Sequence, residues 1–268
     1  MAMAPDPRMP ERSMPDLARV RRLEALGFRA WPAASVRYDG SWQIRLTAGH
    51  PARRLNSVNP LDPSDDHDIA RRVAGIVARF RSFGRRPIFR LTPLSPGHVA
   101  AWLDEAGWDR AGESLVMSAS ISALDLEDAI DQLPTRDIGR YVDAALATGD
   151  RAATIRPGLS EILSSIRPST GLFVREAFDG EAASTVICVH DGDHAGILDL
   201  ASAERVRRQG HGRAVLLSAL KWARFHGARH VWLQVEADNP AARRLYADLG
   251  FDEVYRYHYR LAPEDAGS

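Results

Sequence analysis

The chain contains 268 residues, of which 45% are apolar and 26% are charged, a composition typical of a globular protein with a sizeable core. Its 35 Lys and Arg residues balance its 35 Asp and Glu residues, which argues against a nucleic acid or an anionic membrane as partner. The single cysteine, Cys188, excludes an intrachain disulfide and a cysteine-rich zinc site, and no apolar run is long enough to span a bilayer.

The N-terminal part of the chain predicts a tail followed by an alternation of helices and strands. Residues 1–14 are rich in Pro, Met and charge and lack the apolar stretch of a signal peptide, so we expect a flexible tail and a cytoplasmic protein. A helix from Leu17 to Leu26 should end at Gly27. The elements predicted next are strands at 43–48 and 54–58, a helix at 68–83 ending at Gly84, a strand at 87–91, a helix ending at Gly107, and a strand at 114–117.

The C-terminal part predicts a linker and then a second series of elements. The linker is placed at 118–125, and the opening helices of the second series at 126–148. Cys188 lies in an apolar, strand-like run at 185–189 and is interpreted as a small buried hydrophobe. The later elements are a strand at 196–201, a helix at 213–226 ending at Gly227, a strand at 230–235, a helix ending at Gly250, and a strand at 254–259.

The two series repeat one plan. Gly250 follows Gly107 by 143 residues, and Gly227 follows Gly84 by the same distance. This spacing predicts a repeated helix–strand–helix–strand unit. We therefore expect an α/β fold, a mixed sheet with flanking helices, in two tandem copies at 15–120 and 121–268.

Two short motifs in the second copy suit the binding of a pyrophosphate. The first, R-x-x-G-x-G, runs from Arg207 to Gly212 between a predicted strand and a predicted helix. A helix N-terminus offers unpaired backbone N–H groups and a positive dipole end, and glycines let the backbone approach the phosphates. The second, N-x-x-A-x-x-x-Y-x-x-x-G-F, runs from Asn239 to Phe251.

Together, in this order and spacing, the motifs resemble the acyl-CoA site of the GNAT superfamily of N-acyltransferases, over roughly Leu172 to Leu261. The resemblance implies acetyl-CoA as cosubstrate and no metal. It also implies a set of residues that contact the cosubstrate: Leu200, Ala201, Ser202, Arg207, Arg208, Gln209, Gly210, His211, Gly212, Arg213, Asn239 and Tyr246.

Several of these residues also have a purely structural interpretation. Arg207 and its neighbours would form a solvated basic loop, and Asn239 followed by Pro240 is a good helix start without any ligand. Tyr246 would pack at helical spacing beside Leu245 and Leu249. Because the whole motif matches, we favour the cosubstrate contacts.

The first copy lacks these residues. At the 143-residue offset, Gly210 corresponds to His67, Gly212 to Ile69 and Tyr246 to Leu103. The segment from Ser64 to Asp68 carries three carboxylates, which would repel a phosphate. We expect a degenerate copy that supports the active one and shapes its acceptor cleft.

The resemblance also suggests catalytic roles. Tyr246 is the candidate acid that protonates the departing thiolate. Ribosomal-protein alanine acetyltransferases carry a Glu in the pattern L-E-V-x-x-x-N, where this chain has Gln234, which is not a useful base. Glu236 and Asp199 are the remaining candidate bases, although a surface salt bridge or a capping role would also explain either residue.

A paired histidine motif does not change this interpretation. His190 and His194 bracket Asp191, Gly192 and Asp193, and a polar hairpin turn explains this pattern better than a metal site.

The favoured function is an N-acetyltransferase that acetylates a primary amine of a small molecule or peptide by direct attack in a ternary complex. The alternative is a non-catalytic acyl-CoA-binding sensor or scaffold. We expect an amine acceptor as partner, no nucleic acid, no membrane, and a monomer or homodimer.

Overall fold

One mixed sheet of ten strands runs through residues 16–149 and 151–264, the part of the chain that the computed structural model describes. The tail predicted at residues 1–14 lies outside this part. The helices are α1 Leu17–Ala30, α2 Ile69–Ser82, α3 Gly97–Glu105, α4 Ile138–Thr148, α5 Arg156–Ser165, α6 His211–Phe225 and α7 Pro240–Asp248. The strands are β1 Ser35–Asp39, β2 Trp42–Leu46, β3 Ser57–Pro60, β4 Ile88–Leu91, β5 Asp109–Ser120, β6 Ser169–Glu176, β7 Ala182–Asp191, β8 His194–Ser202, β9 His230–Glu236 and β10 Asp252–Leu261.

The order of strands reflects the repeat in the sequence. It reads β1-β2-β3-β4-β10-β5-β9-β8-β7-β6, so the halves are related about a line between β10 and β5. In each half one neighbouring pair is parallel, β3 with β4 and β8 with β9, and the other pairs are antiparallel. The mixed α/β sheet with flanking helices is therefore confirmed.

The 143-residue offset holds for the last helix and the last strand of each copy. Helices α3 and α7 begin at residues 97 and 240, and strands β5 and β10 begin at 109 and 252. The four glycines that end α2, α3, α6 and α7 all have positive φ, as expected for left-handed residues after a helix. Their φ angles are +63° at Gly84, +72° at Gly107, +93° at Gly227 and +90° at Gly250.

The two copies exchange their last strands. Strand β10, from the second copy, lies between β4 and β5, whereas β5, from the first copy, lies between β9 and β10. One buried cluster accordingly contains Leu23 of α1, Tyr141 of α4 and Tyr255 of β10. The two copies share one sheet and one core. The ranges 15–120 and 121–268 therefore describe the repeat in the sequence and, as domain boundaries, stay a prediction.

The structure corrects three predicted elements. Helix α1 continues through Gly27 to Ala30, because Gly27 keeps a negative φ and Trp31 N–H donates to its carbonyl at 3.1 Å. The first part of the predicted strand 54–58 is a 3-10 turn, Arg53–Leu55, and strand β1 was not predicted. The opening helices predicted at 126–148 lie instead at 138–148 and 156–165, since Pro134 interrupts the first part of that range.

The core of the second half supports the N-terminus of α6. Helix α6 packs on β6, β7 and β8 through buried side chains such as Leu216, Ala219 and Leu220. Cys188 belongs to the same cluster and is fully buried, as predicted. Among the described residues, no helix has both the length and the apolar character needed to cross a membrane.

Candidate active site

A cleft opens where β8 and β9 separate. The two strands pair in parallel only from His194 opposite His230 to Ile197 opposite Leu233. Beyond this point β8 contains a bulge, since Leu198 faces Ile187 and Ala201 faces Thr185, which leaves two β8 residues opposite one β7 residue. Asp199 within the bulge has a left-handed φ of +57°. Beyond Ile197, the backbone of β8 therefore has no partner on β9.

The cleft forms a cavity of about 840 Å³ lined by both copies. The second copy contributes Asp199, Leu200, Gln234, Glu236, Asn239 and Tyr246. The first copy contributes His50, Arg53, Arg54, Gly112 and Ser114. Strand β10 adds Tyr257 and Tyr259. The structure therefore brings all three candidate catalytic residues, Tyr246, Glu236 and Asp199, to one cavity.

Helix α6 begins against the end of β8 with unpaired amides, and its first residues are not among those that line the cavity. Its first intrahelical bond runs from Ala214 N–H to the Gly210 carbonyl at 2.9 Å, so the N–H groups of residues 211–213 have no acceptor within the helix. Gly210 has a φ of +83°, and a Cβ there would meet no atom within 4 Å. A Cβ on Gly212 would lie 2.8 Å from Ser202 Oγ, so this glycine lets the helix start approach the end of β8. This geometry suits a bound pyrophosphate.

The arginines near this turn differ in their availability. Arg205 pairs with Asp179 at 2.7 Å, and Arg207 lies 3.5 Å from Glu204. Arg208, at a left-handed φ of +64°, and Arg213 are exposed and have no ion pair among the described residues. Arg208 and Arg213 are therefore free to contact phosphates.

Gln209 and His211 make protein contacts with their side chains. Gln209 Nε2 donates to the carbonyl of Arg205 at 3.5 Å. His211 Nδ1 accepts a hydrogen bond from Arg175 Nε at 3.2 Å, which leaves its backbone N–H for a ligand.

Asn239 and Tyr246 combine structural contacts with exposure to the cavity. Asn239 is the N-cap of α7, and its Oδ1 accepts from Ala242 N–H at 3.0 Å, while Pro240 occupies the first turn. The ring of Tyr246 is buried, 6.0 Å from that of Phe251. Burial raises the pKa of Tyr246 to about 12, and its hydroxyl has no hydrogen-bond partner in the described part of the chain. The structural and the ligand-binding interpretations of both residues are compatible.

The two candidate bases have different surroundings. Both carboxylate oxygens of Asp199 accept from Arg151, at 2.8 and 2.5 Å, and these bonds raise the pKa of Arg151. Glu236, at the end of β9, is exposed and has no ion pair among the described residues. Gln234, two residues earlier, accepts from Arg54 Nη1 at 2.8 Å and from the Tyr257 hydroxyl at 3.0 Å. Glu236 is therefore the more available proton acceptor.

Sequence reasoning missed the part of the cleft that the first copy and β10 supply. Arg53 and Arg54 lie in the turn before β3, where the sequence carries no motif. Tyr257 and Tyr259 belong to a run of tyrosines at every second position of β10, beginning at Tyr255. That alternation was a usable signal for one face of a strand.

The corresponding turn of the first copy is occupied by carboxylates. Its left-handed residue before α2 is Asp68, with a φ of +50°, so the predicted equivalence of Gly210 with His67 is wrong by one residue. Asp65 accepts from Arg72 Nη1 at 2.8 Å and from Ser41 N–H at 2.7 Å. Although burial acts in the opposite direction, these hydrogen bonds lower the pKa of Asp65 to about 2. This turn carries carboxylates and no glycine where α6 has Gly210, and the degenerate copy stays a prediction.

The histidine pair lies in the predicted hairpin turn between β7 and β8. Asp193 Oδ1 contacts His194 Nδ1 at 2.7 Å, and the His194 ring lies 5.0 Å from that of His230. Within residues 16–149 and 151–264, no three His, Cys, Asp or Glu side chains are grouped so that they could hold a metal ion.

Comparisons with known proteins match nearly the whole chain. Residues 17–260 match the family described as "Probable histone acetyltransferase Rv0428c C-terminal". The chain is 24% identical over 256 residues to the uncharacterized N-acetyltransferase YobR of Bacillus subtilis, covering 90% of this chain and 98% of that protein.

Two solved structures share the fold. A GCN5-related N-acetyltransferase from Kribbella flavida aligns with a TM-score of 0.70 at 18% identity, over 94% of this chain and 97% of that one. A tandem GNAT protein from the clavulanic acid biosynthesis pathway aligns with a TM-score of 0.59 at 16% identity, over 91% of this chain and 89% of that one.

Proposed function

Because the chain belongs to the GNAT family of N-acetyltransferases, we propose that it transfers the acetyl group of acetyl-CoA to a primary amine by direct attack in a ternary complex. The observation that carries this proposal is the position of Tyr246 in the cleft between β8 and β9, since the end of β8 lies against the unpaired N-terminus of α6 at Ser202. One end of the cleft thus suits a diphosphate and its interior suits a thioester.

Binding of acetyl-CoA follows from the backbone geometry. The N–H groups of residues 210–213 donate to the pyrophosphate, and Arg207, Arg208 and Arg213 add positive charge around it. The pantetheine arm lies between the diverging strands, where the backbone of 200–202 and the unused amide N–H₂ of Asn239 contact it.

The acetyl transfer requires a nucleophilic amine. A primary amine of the lysine type has a pKa near 10.4, so its deprotonation at pH 7 costs about 4–5 kcal/mol. Glu236 accepts this proton, directly or through a water molecule, because it is exposed to the cavity and free of an ion pair among the described residues. Asp199 is less suited, since protonation would weaken both of its bonds to Arg151.

Two charges develop during the transfer, one on the carbonyl oxygen as the tetrahedral intermediate forms and one on the sulfur as the intermediate collapses. An N–H group of residues 200–202, beyond the last pair between β8 and β9, donates to the oxyanion. As the carbon–sulfur bond breaks, the Tyr246 hydroxyl donates its proton to the sulfur. A phenol with a pKa of about 12 keeps its proton at neutral pH. The same burial raises the pKa of a thiol above its usual value of about 8.5, which brings the two groups closer in acidity.

The alternative, a non-catalytic acyl-CoA sensor, has one observation in its favour. Gln234 stands where the ribosomal-protein alanine acetyltransferases carry a Glu, and Asp199 accepts hydrogen bonds from Arg151, so neither residue is an available base. The two functions differ in turnover: a sensor binds CoA and releases no thiol from acetyl-CoA with any amine.

The test is thiol release from acetyl-CoA over a panel of primary amines, with the variant Tyr246→Phe. We expect turnover by the wild type, and a loss of about 10²- to 10⁴-fold in the variant with CoA affinity unchanged. Tyr38→Phe, on the exposed edge strand β1, is the matched control and should behave as the wild type. Equal turnover by Tyr246→Phe would remove Tyr246 as the acid, and no turnover with any amine would favour the sensor.

A further inference from the structure

The first copy places two arginines without acidic partners in the lining of the cleft. Arg53 and Arg54 both line the cavity, and neither has an ion pair among the described residues. Arg54 Nη1 donates to Gln234 Oε1 at 2.8 Å, a neutral acceptor. Arg53 lies over Gly112, where a Cβ would come within 2.7 Å of its Nη1. Gly112, with a φ of +51°, thus makes room for this guanidinium group.

In the pocket next to the cleft that Arg54 also lines, guanidinium groups outnumber carboxylates. Arg45, Arg54 and Arg90 line one small pocket together with a single carboxylate, Glu24. Glu24 already accepts two bonds from Arg90, at 2.9 and 2.5 Å, and a third from the Tyr255 hydroxyl at 2.6 Å.

Arg45 is buried and has no carboxylate partner in the part of the chain that the structure describes. It is 3% exposed, it donates to the Trp31 carbonyl, and its Nε has no hydrogen-bond partner among the described residues. Burial, followed by repulsion from Arg90 and Arg54, lowers the pKa of Arg45 to about 9. An excess of guanidinium groups in such surroundings is costly unless an anion offsets it.

Besides Arg53 and Arg54, the Arg, Asp and Glu side chains that line the cavity are Arg151, Asp199 and Glu236. Arg151 is neutralised by Asp199, so it adds little net charge. Glu236 and Gln234 lie two residues apart on one face of β9, which separates them by about 7 Å. The carboxylate that accepts the amine proton and the guanidinium bonded to Gln234 are therefore within the span of one small molecule.

We propose that the acceptor is an amine that also carries an anionic group, a carboxylate or a phosphate, and that Arg53 and Arg54 bind this group. This inference rests on the acetyltransferase function proposed above. It gives the first copy a role in selecting the acceptor. A lysine-rich peptide would bring like charge to the same guanidinium groups and is a poor substrate.

The experiment compares matched acceptors with the full-length protein. Thiol release from acetyl-CoA is measured with glycine, β-alanine and 4-aminobutyrate against their amides, with phosphoethanolamine against ethanolamine, and with a lysine-rich peptide. We expect at least one anionic member to exceed its neutral partner by about tenfold to a hundredfold in kcat/KM. The carboxylate and phosphate arms identify which anion is bound.

Variants connect that preference to Arg54. Arg54→Gln should abolish it, so that the acid and the amide of each pair react with equal kcat/KM, and Arg54→Lys should restore part of it. Arg37→Gln, at an exposed position of β1, is the matched control and should keep the full preference.

A binding measurement separates this inference from the proposed function. Titration of the CoA-loaded protein with N-acetyl-β-alanine and with its amide requires no turnover. If the acid binds more tightly and Arg54→Gln removes the difference, the anion site stands even when no amine is acetylated. Equal rates and equal binding of acids and amides, or a preference for the lysine-rich peptide, would overturn it.

Discussion

Replacing Gly210 by glutamate places a carboxylate at the start of α6, where we propose the pyrophosphate binds. The effect on the fold should be small, because a Cβ at this position meets no atom within 4 Å. An L residue at the left-handed φ of +83° costs about 1–2 kcal/mol. That cost is a fraction of the roughly 5–15 kcal/mol by which a domain is stable.

The effect on CoA affinity should be large. The new carboxylate repels the phosphates and displaces at least one charged hydrogen bond, which is worth about 1.5–3 kcal/mol. With repulsion of about 1–2 kcal/mol for a partly exposed pair, the loss reaches about 2.5–5 kcal/mol. Since 1.4 kcal/mol corresponds to tenfold, we expect the affinity for CoA to fall by about 100-fold or more.

Isothermal titration calorimetry measures the affinity, and thermal unfolding checks the fold. Gly227→Glu is the matched control, because Gly227 ends the same helix with a φ of +93° and open space around it. It adds the same charge and the same strain at the opposite end of α6. If Gly210→Glu binds CoA as tightly as Gly227→Glu does, the pyrophosphate does not bind at this turn.

Three further predictions concern the base, the helix start and the first copy. Glu236→Gln should slow turnover without changing CoA affinity, and its rate should rise about tenfold per pH unit toward the pKa of the amine; a flat profile would exclude Glu236 as the base. Gly212→Ala should lower thermal stability and CoA affinity, because its Cβ would lie 2.8 Å from Ser202 Oγ, and adding Ser202→Ala should restore both; no rescue would contradict the contact. The pKa of Asp65, about 2 in the folded protein, lies below the unfolded value of about 3.9. Its stabilisation is therefore present above pH 4 and lost as the pH falls toward 2, and in acid unfolding experiments Asp65→Asn should lose part of this dependence.

The local repeat was predictable because helix-ending glycines leave a strong signal. Gly84, Gly107, Gly227 and Gly250 each need a left-handed φ, which favours glycine over other residues. Their common offset is therefore sufficient to indicate two copies of one unit. Helix α7 was located by the same kind of signal, since Asn239 caps it and Pro240 begins it.

The exchange of strands was not predictable from these signals. Strands β5 and β10 have the same pattern whether each pairs within its own copy or with the other one. Pairing between copies depends on long-range packing of side chains such as Tyr255 and Tyr141 in a shared core. For the same reason, the sequence predicted the cleft residues of β8, β9 and α7 and missed Arg53 and Arg54, which the first copy contributes.

Gly27 shows where a local rule fails. A glycine near the end of an apolar pattern predicts a helix end, but this glycine retains a negative φ and α1 continues to Ala30. The four added residues carry Ala30 into the core beside Trp31. Burial of these side chains outweighs the modest cost of a glycine inside a helix, about 1 kcal/mol.

A crystal structure of the protein with CoA tests the central claim most directly. The account predicts the pyrophosphate on the N–H groups of residues 210–213, the pantetheine between β8 and β9, and the sulfur within about 3.5 Å of the Tyr246 hydroxyl. A diphosphate bound elsewhere, or a sulfur directed away from Tyr246, would contradict it.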